Sequence, residues 1–290
     1  MTEIQESSAS KSGHLPTAIF RFRAGGTFAG HVAAILESTR PISSLVPGTV
    51  ACVAVFARQG VCVRGLLAGL AMYSLTAFGF QVNDILDYAK DRAAGVSRPI
   101  ARGALSRGAA ALFAVALLLM TFALSAWVGA GGGVLAATAA ALMLYTPSAR
   151  KLPLIKGLYV AVLCIAPLYY GAQVTAAPYA WPPYLLLSLF IVGREALMDS
   201  NEIAGDRSAG MVTVAVVFGA LLTKRAGTLV MVLSVAVLAG IAPVGVARIA
   251  ALTALVSLLC VLAWPRLDDA KRIALSRIPM LAAAVALAWG

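Results

Sequence analysis

Charged residues are scarce in this 290-residue sequence, because only 12% of its residues are Asp, Glu, Lys or Arg whereas 61% are hydrophobic. One soluble core of this size could not hide so many apolar side chains. Runs of about 20 apolar residues, the length that an α-helix needs to cross a bilayer, recur from residue 32 to the end of the sequence. The composition therefore excludes an ordinary soluble domain and predicts an integral membrane protein.

Histidine and cysteine are scarce as well. The two histidines, His14 and His31, make a histidine metal site or a Ser-His-Asp triad a poor explanation of any activity. The cysteines have neither pairing nor metal-ligand spacing, and we interpret them as small core residues. They are Cys52, Cys62, Cys164 and Cys260. Acid-base or metal chemistry must therefore come from carboxylates.

Hydropathy, with Gly, Pro and charge taken as breaks, predicts nine membrane spans in an all-α transmembrane bundle. They lie near residues 32–56, 62–82, 109–128, 130–146, 156–175, 181–199, 226–243, 247–264 and 277–290. The last run is short, and we expect it to span incompletely unless the bilayer thins or the helix sits high. Residues 28–290 form the predicted membrane domain.

Residues 1–27 contain Glu3 and Glu6 before any apolar run, which is unlike a secretory signal. We predict a cytoplasmic tail in this region. Its end, from Leu15 to Phe28, mixes aromatic and basic residues. That end is either a floppy segment or a short amphipathic helix in the membrane interface.

The net charge of +11 is distributed unevenly along the sequence. With nine spans and an internal N-terminus, 18 of the 23 lysines and arginines fall in the tail and in the loops after spans 2, 4, 6 and 8. Only Arg58, Arg64 and Arg248 fall in the opposite loops. This asymmetry predicts a multi-pass protein of the cell membrane whose basic loops are cytoplasmic, in contact with membrane lipids and with no nucleic acid partner.

Seven of the twelve acidic residues lie in two short windows. The windows read Asn83-Asp84-x-x-Asp87-x-x-x-Asp91 and Glu195-x-x-x-Asp199-x-x-Glu202-x-x-x-Asp206. Both continue as Asp-Arg-x-Ala-Gly, and the offset between them contains four predicted helices. We interpret them as equivalent points of a parallel repeat of helices 1–4 and 5–8, which places a site at the interface of the two halves.

Helical spacing of i, i+3 and i+7 puts the three carboxylates of each window on one face. So many carboxylates near a bilayer cannot all be ionised unless cations bind there. Oxygen ligands without His or Cys favour Mg2+, which binds through one or two carboxylates together with substrate phosphates. The predicted metal ligands are Asp84, Asp87, Asp91, Asp199, Glu202 and Asp206.

Basic residues beside the windows fit a diphosphate ligand. They are Lys90, Arg92, Arg98, Arg102, Arg150, Lys151 and Arg207. The alternative is that the windows are solvated helix ends with local salt bridges, but a doubled acidic set at span ends is costly without a function.

These residues resemble the UbiA prenyltransferase superfamily, because the first window is similar to its NDxxDxxxD signature and the second to its other Asp-rich motif. Further landmarks follow in the family's order. They are Arg40-Pro41, Arg98-Pro99 with Gly103, Tyr145-Thr146-Pro147-Ser148-Ala149-Arg150-Lys151, and Gly205-Asp206-Arg207-x-x-Gly210-x-x-Thr213. The resemblance implies about nine helices around a central cavity, Mg2+ and an isoprenyl diphosphate at the two motifs, and a lateral tunnel for the prenyl tail.

We assign roles on that basis. Asp84 and Asp199 are the principal catalytic candidates, and Glu195 is a candidate proton acceptor that an ion pair with Arg194 or Arg40 explains equally well. Arg40 either orients the acceptor or pairs with Glu37. The candidates for substrate binding are Asn83, Arg40, Arg98, Tyr145, Arg150, Lys151 and Arg207.

The predicted function is transfer of an isoprenyl group from an allylic diphosphate to an acceptor, with an activated aromatic as the expected acceptor. A membrane terpene cyclase of the same superfamily and a transporter are the alternatives. Two departures from the family pattern, Glu202 in place of Asp and Met198 in place of Lys, leave the diphosphate site intact. Ile191-Val192 replaces the Tyr-Asp pair of the 4-hydroxybenzoate branch, which counts against that acceptor.

Overall fold

The computed structural model describes residues 28–93, 95–151, 156–177, 181–208 and 210–290, so the predicted tail lies outside it. Within these residues the chain forms thirteen α-helices and no strand. The helices are α1 (Phe28–Ser38), α2 (Pro41–Gln59), α3 (Val63–Leu86), α4 (Tyr88–Ala93), α5 (Arg107–Val128), α6 (Gly132–Lys151), α7 (Lys156–Thr175), α8 (Trp181–Ser208), α9 (Val214–Phe218), α10 (Ala220–Ile241), α11 (Val246–Ala263), α12 (Asp269–Leu275) and α13 (Arg277–Trp289).

Seven stretches are long and apolar enough to cross a membrane, namely α2, α3, α5, α7, α10, α11 and the combined α12 and α13. The apolar part of α6, Gly132–Tyr145, is shorter, and α8 has 28 residues and carries the second acidic window. The prediction of an all-α membrane-spanning bundle is therefore confirmed. The sequence predicts nine spans, whereas seven stretches of the described residues qualify, because the apolar part of α6 is short and α8 carries the charged residues of the second window.

The last predicted span is longer than the sequence suggested. Asp269–Trp289 forms a stretch of 21 residues that bends at Ser276, between α12 and α13. The hydropathy reading began this span only at residue 277, because Lys271 and Arg272 interrupt the apolar run.

The first predicted span is divided at Arg40. This residue has φ 47° and ψ 63° and stands between α1 and α2, so it is not inside a transmembrane helix as predicted. The cause is Pro41, because proline excludes the helical conformation from the residue before it and favours the first helical position. The guanidinium of Arg40 is consequently placed at the end of α2, where the acidic windows lie.

Two large hydrophobic clusters form most of the core, and α2 and α7 contribute to both. One cluster joins them to α8, α10, α11 and α13, and the other joins them to α3, α5 and α6. Large apolar side chains are exposed on the outer faces of α5, α10 and α11, for example Leu119, Leu233 and Val256. Such surfaces suit contact with lipid, and the polar residues converge between the two clusters.

Candidate active site

The first acidic window straddles the junction of α3 and α4. Asp87 ends α3 as its C-cap, while Asp84 before it and Asp91 after it are buried. Arg98 joins these two carboxylates, since its Nη1 lies 3.1 Å from Asp84 Oδ1 and 2.6 Å from Asp91 Oδ2. Asp84 and Asp91, seven residues apart, therefore face the same guanidinium across the junction, in line with their helical spacing.

Arg40 is the second cation of this cluster. Its Nη2 donates a hydrogen bond to Asp84 Oδ1, and its guanidinium lies 4.6 Å from the centre of the Phe80 ring. The alternative pairing with Glu37 is wrong, because Glu37 accepts hydrogen bonds of 2.7 and 2.5 Å from Arg102. This Arg102 guanidinium lowers the pKa of Glu37 and ties α1 to the loop after α4.

The second window lies on the last turns of α8. Asp199 and Asp206 are buried, whereas Glu202 is exposed, so the three do not share one environment as their spacing suggested. Lys156, the first residue of α7, places its Nζ 2.6 Å from Asp199 Oδ1. Sequence reasoning missed Lys156. Its position at the start of an apolar span, a few residues after Arg150 and Lys151, could have indicated that it belongs to the same basic group.

The two windows end in the same turn. The amide of Val96 donates to the carbonyl of Asp91 at 2.9 Å, and the amide of Met211 donates to that of Asp206 at 2.8 Å. Gly95 and Gly210 adopt left-handed φ values of 64° and 65°, as expected for glycine after the last turn of a helix. The repeated Asp-Arg-x-Ala-Gly sequence thus has a local structural counterpart, while the larger repeat of four helices stays a prediction.

Tyr145 on α6 connects the two windows. Its hydroxyl lies within electrostatic reach of Asp87 in the first window and of Asp199, Glu195 and Lys156 on the other side. The Tyr145 and Tyr159 rings are 5.7 Å apart between centroids, which fixes the position of this side chain. Tyr145 therefore lies in the electrostatic neighbourhood of acidic residues from both windows.

A cavity of about 380 Å³ lies among α2, α3, α6, α7, α8 and α13. Arg40, the partner of Asp84, lines it on one side, and Glu195, one turn before Asp199, lines it on the other. Glu195 is buried, and its Oε1 lies 3.4 Å from Arg194 Nη1, so the pairing with Arg194 is the one observed. Most other lining residues are apolar and come at helical spacing from α2, α3, α7, α8 and α13.

A second, apolar groove lies between α6 and α7. Thr138 and Leu163 line both this groove and the central cavity. The remaining residues of the groove include Val134, Val162 and Tyr169, and no charged residue lines it. The central cavity therefore has an apolar extension toward the outer surface of the bundle.

The remaining predicted site residues are Arg150, Lys151, Arg207 and Asn83, and fewer contacts of their side chains are described. Arg150 and Lys151 belong to the last turn of α6 and not to a loop, and their side chains lie outside the described part. Arg207 is exposed on the last turn of α8, and Asn83 is half-buried next to Asp84.

The carboxylate oxygens of the two acidic windows are the kind of ligand that Mg2+ prefers. No group of three or more metal-binding side chains stands together among the described residues. Mg2+ does not need one, because it takes one or two carboxylates and completes its shell with phosphate oxygens and water. Asp206 supports this fit, because its Oδ2 is buried without a hydrogen-bond partner, as expected for an oxygen that a cation completes.

These features define a multi-spanning membrane protein with two acidic windows over a cavity. The sequence profile of the UbiA prenyltransferase family matches residues 44–285, and the chain belongs to this family.

Similar proteins agree with that membership. Digeranylgeranylglyceryl phosphate synthase of Methanoregula boonei is 33% identical over 62% of this chain and 67% of its own length. The protein of the same name from Ignicoccus hospitalis is 31% identical over 84% of this chain and 86% of its own. A UbiA homolog from Archaeoglobus fulgidus, solved bound to GPP and Mg2+, has a TM-score of 0.68 and 18% identity over 88% of this chain and 99% of its own.

Proposed function

We propose that this chain transfers an isoprenyl group from an allylic diphosphate to a hydroxyl-bearing acceptor held in the central cavity. The observation that carries the proposal is a largely apolar cavity lined by Glu195 of the second window and by Arg40, which pairs with Asp84 of the first window. Family membership and the relatives named as synthases support the same reaction class.

The metal would be held by carboxylates of both windows. The candidate ligands are Asp84, Asp87, Asp91, Asp199, Glu202 and Asp206, of which Asp206 has the unpartnered buried oxygen. When bound, Mg2+ supplies positive charge that stabilises the departing diphosphate. The solved Archaeoglobus fulgidus homolog with GPP and Mg2+ supports this assignment.

Arg98 and Lys156 hold the two windows ready for a diphosphate. Arg98 neutralises the buried carboxylates of Asp84 and Asp91. Lys156 neutralises the buried carboxylate of Asp199. Their positive charges would also face the phosphate oxygens, where negative charge develops as the allylic C1–O bond breaks. Asn83, Arg207, Arg150 and Lys151 complete the set that we assign to the diphosphate.

The cavity residues would direct the second half of the reaction. The electron pair of the C1–O bond leaves with the diphosphate, the acceptor oxygen or ring carbon bonds to C1, and the acceptor loses one proton. Glu195 is placed to take that proton, since it lines the cavity beside Asp199. Tyr145 and the apolar walls keep water from the allylic cation.

The similar proteins change the expected acceptor from an aromatic ring to a lipid. An activated aromatic ring has no support from the named relatives, which are digeranylgeranylglyceryl phosphate synthases. Their name points to a glyceryl phosphate lipid, and we propose the free hydroxyl of such a lipid as the first acceptor to test.

The direct test uses purified protein with geranyl, farnesyl and geranylgeranyl diphosphate, each with geranylgeranylglyceryl phosphate or with hydroxylated aromatic acids. We expect a Mg2+-dependent ether product by mass spectrometry and no product in EDTA. Full turnover in EDTA would contradict the metal assignment, prenylation of only the aromatic acids would contradict the lipid acceptor, and a cyclic hydrocarbon without acceptor would indicate a terpene cyclase.

A further inference from the structure

The wall of the central cavity formed by α8 and α13 carries positive charge away from the acidic windows. Arg194 on α8 and Arg277, the first residue of α13, both line the cavity. Arg194 donates a hydrogen bond of 3.0 Å to the hydroxyl of Ser276, the residue before Arg277, which brings the two arginines together on this wall. Two guanidinium groups on one wall of a mostly apolar cavity are costly unless an anion binds between them.

The charges of this cavity do not balance without a ligand. Its charged lining residues are Arg40, Arg194, Glu195 and Arg277. Arg40 pairs with Asp84, and Arg194 pairs with Glu195. Arg277 has no ion-pair partner within the described part of the chain, so the cavity retains one positive charge.

Arg194 is held in place by its neighbours. Its Nε lies 3.0 Å from the hydroxyl oxygen of Ser276, and its Nη1 lies 3.3 Å from the sulfur of Met198. Ser276 is buried at the bend between α12 and α13, and its hydroxyl donates in turn to the carbonyl of Ile273. The bend thus orients Arg194 and places Arg277 beside it, which preorganises the pair.

We propose that Arg194 and Arg277 form an anion subsite that selects acceptors with a phosphate or carboxylate group. The subsite rests on the proposed prenyl transfer but concerns the acceptor alone, because the donor diphosphate has its own cations in Arg98 and Lys156. An anion held here lies at the cavity wall close to Glu195, which Arg194 contacts at 3.4 Å, so the acceptor hydroxyl is brought near the proposed proton acceptor. The two arginines would select an acceptor by its negative charge, and this charge can belong to a lipid phosphate or to an aromatic carboxylate.

The test compares acceptors that differ only in charge. Geranylgeranylglyceryl phosphate is compared with geranylgeranylglycerol, and 4-hydroxybenzoate is compared with its methyl ester. The two comparisons distinguish recognition of a lipid phosphate from recognition of an aromatic carboxylate. We expect Arg277→Gln to reduce kcat/KM for an anionic acceptor by about 10- to 100-fold, mainly through KM, because a charge-assisted contact is lost. The neutral partner should be unaffected, and Arg277→Lys should restore part of the loss.

Lys271→Gln is the matched control, because Lys271 is an exposed cation on the adjacent α12 that pairs with Asp268 outside the cavity. An equal loss for anionic and neutral acceptors, or a wild-type protein indifferent to acceptor charge, would overturn the subsite.

Thermal stabilisation by each acceptor without the donor gives a readout independent of turnover. If no acceptor is prenylated, the proposed function fails. The subsite is then supported if only anionic acceptors raise the melting temperature of the wild type and the Arg277→Gln variant shows no such increase. Any other result overturns the subsite.

Discussion

The carboxylates of the two windows fall into two kinds at the scale of the residue. Asp84, Asp91 and Asp199 are buried beside a cation, so removing any of them breaks an ion pair and is destabilising. Asp206 is different, because its Oδ2 is buried without a hydrogen-bond partner among the described residues. A substitution at Asp206 therefore separates a functional role from a structural one.

We predict that Asp206→Asn lowers kcat/KM by at least about 100-fold, because the variant loses a carboxylate that would hold the metal, whose positive charge stabilises the departing diphosphate. The melting temperature in detergent should stay the same or rise, since no ion pair is broken. The measurement is prenyl transfer over a range of Mg2+ concentrations together with thermal unfolding.

Asp268→Asn serves as its control. Asp268 is exposed and caps α12 by accepting a hydrogen bond from the amide of Lys271, a task that asparagine performs about equally well. Normal activity of Asp206→Asn at ordinary Mg2+ concentrations would remove Asp206 from the metal site.

At the scale of the element, the long helices present rows of small or apolar residues to the cavity and the lateral groove. On α6, Thr138 lines both spaces, whereas Ala137 lines the groove alone. A prenyl tail that leaves the cavity between α6 and α7 must pass Thr138 and Leu163. The width at this point would then determine which chain lengths are accepted.

Thr138→Phe is expected to reduce transfer from geranylgeranyl diphosphate about 10-fold or more relative to transfer from geranyl diphosphate, because an added ring occupies space that only the longer tail needs. Competition between the two donors, with products separated by mass, measures the ratio directly.

Ala137→Phe adds the same ring one residue away, on the groove side, and should change the ratio much less. An unchanged ratio in Thr138→Phe, in protein that retains activity with geranyl diphosphate, would place the prenyl tail elsewhere.

At the scale of the whole molecule, the positive charges predict the orientation in the membrane. The loop after α4, which contains Arg98 and Arg102, should be cytoplasmic together with both acidic windows. Gly60 and Val61, in the connection between α2 and α3, should lie on the opposite side.

A single cysteine at Ser97, introduced after the four native cysteines are replaced, should resist an impermeant thiol reagent in intact cells and react once the cells are opened. Ser97 is exposed, so its accessibility reports the side of the membrane and not burial. A cysteine at Val61, which is 87% exposed, should give the reverse pattern. Labelling at Ser97 in intact cells would overturn the orientation.

The membrane class, the helical architecture and the two acidic windows could be predicted from the sequence, because hydropathy and short-range spacing are properties of consecutive residues. Pro41 even contained the signal for the break at Arg40, which the prediction of a continuous first span did not use. Chain periodicity also grouped Glu202 with its neighbours, although it is exposed.

Only the tertiary structure decided which charges meet. The pairs Arg40 with Asp84 and Lys156 with Asp199 join residues 44 and 43 positions apart. The shared wall of Arg194 and Arg277 depends on how α8 packs beside α13 and on the bend at Ser276. The physical reason is that a buried charge takes its partner from whichever helix packing places nearby, and side-chain spacing along one helix carries no information about that neighbour.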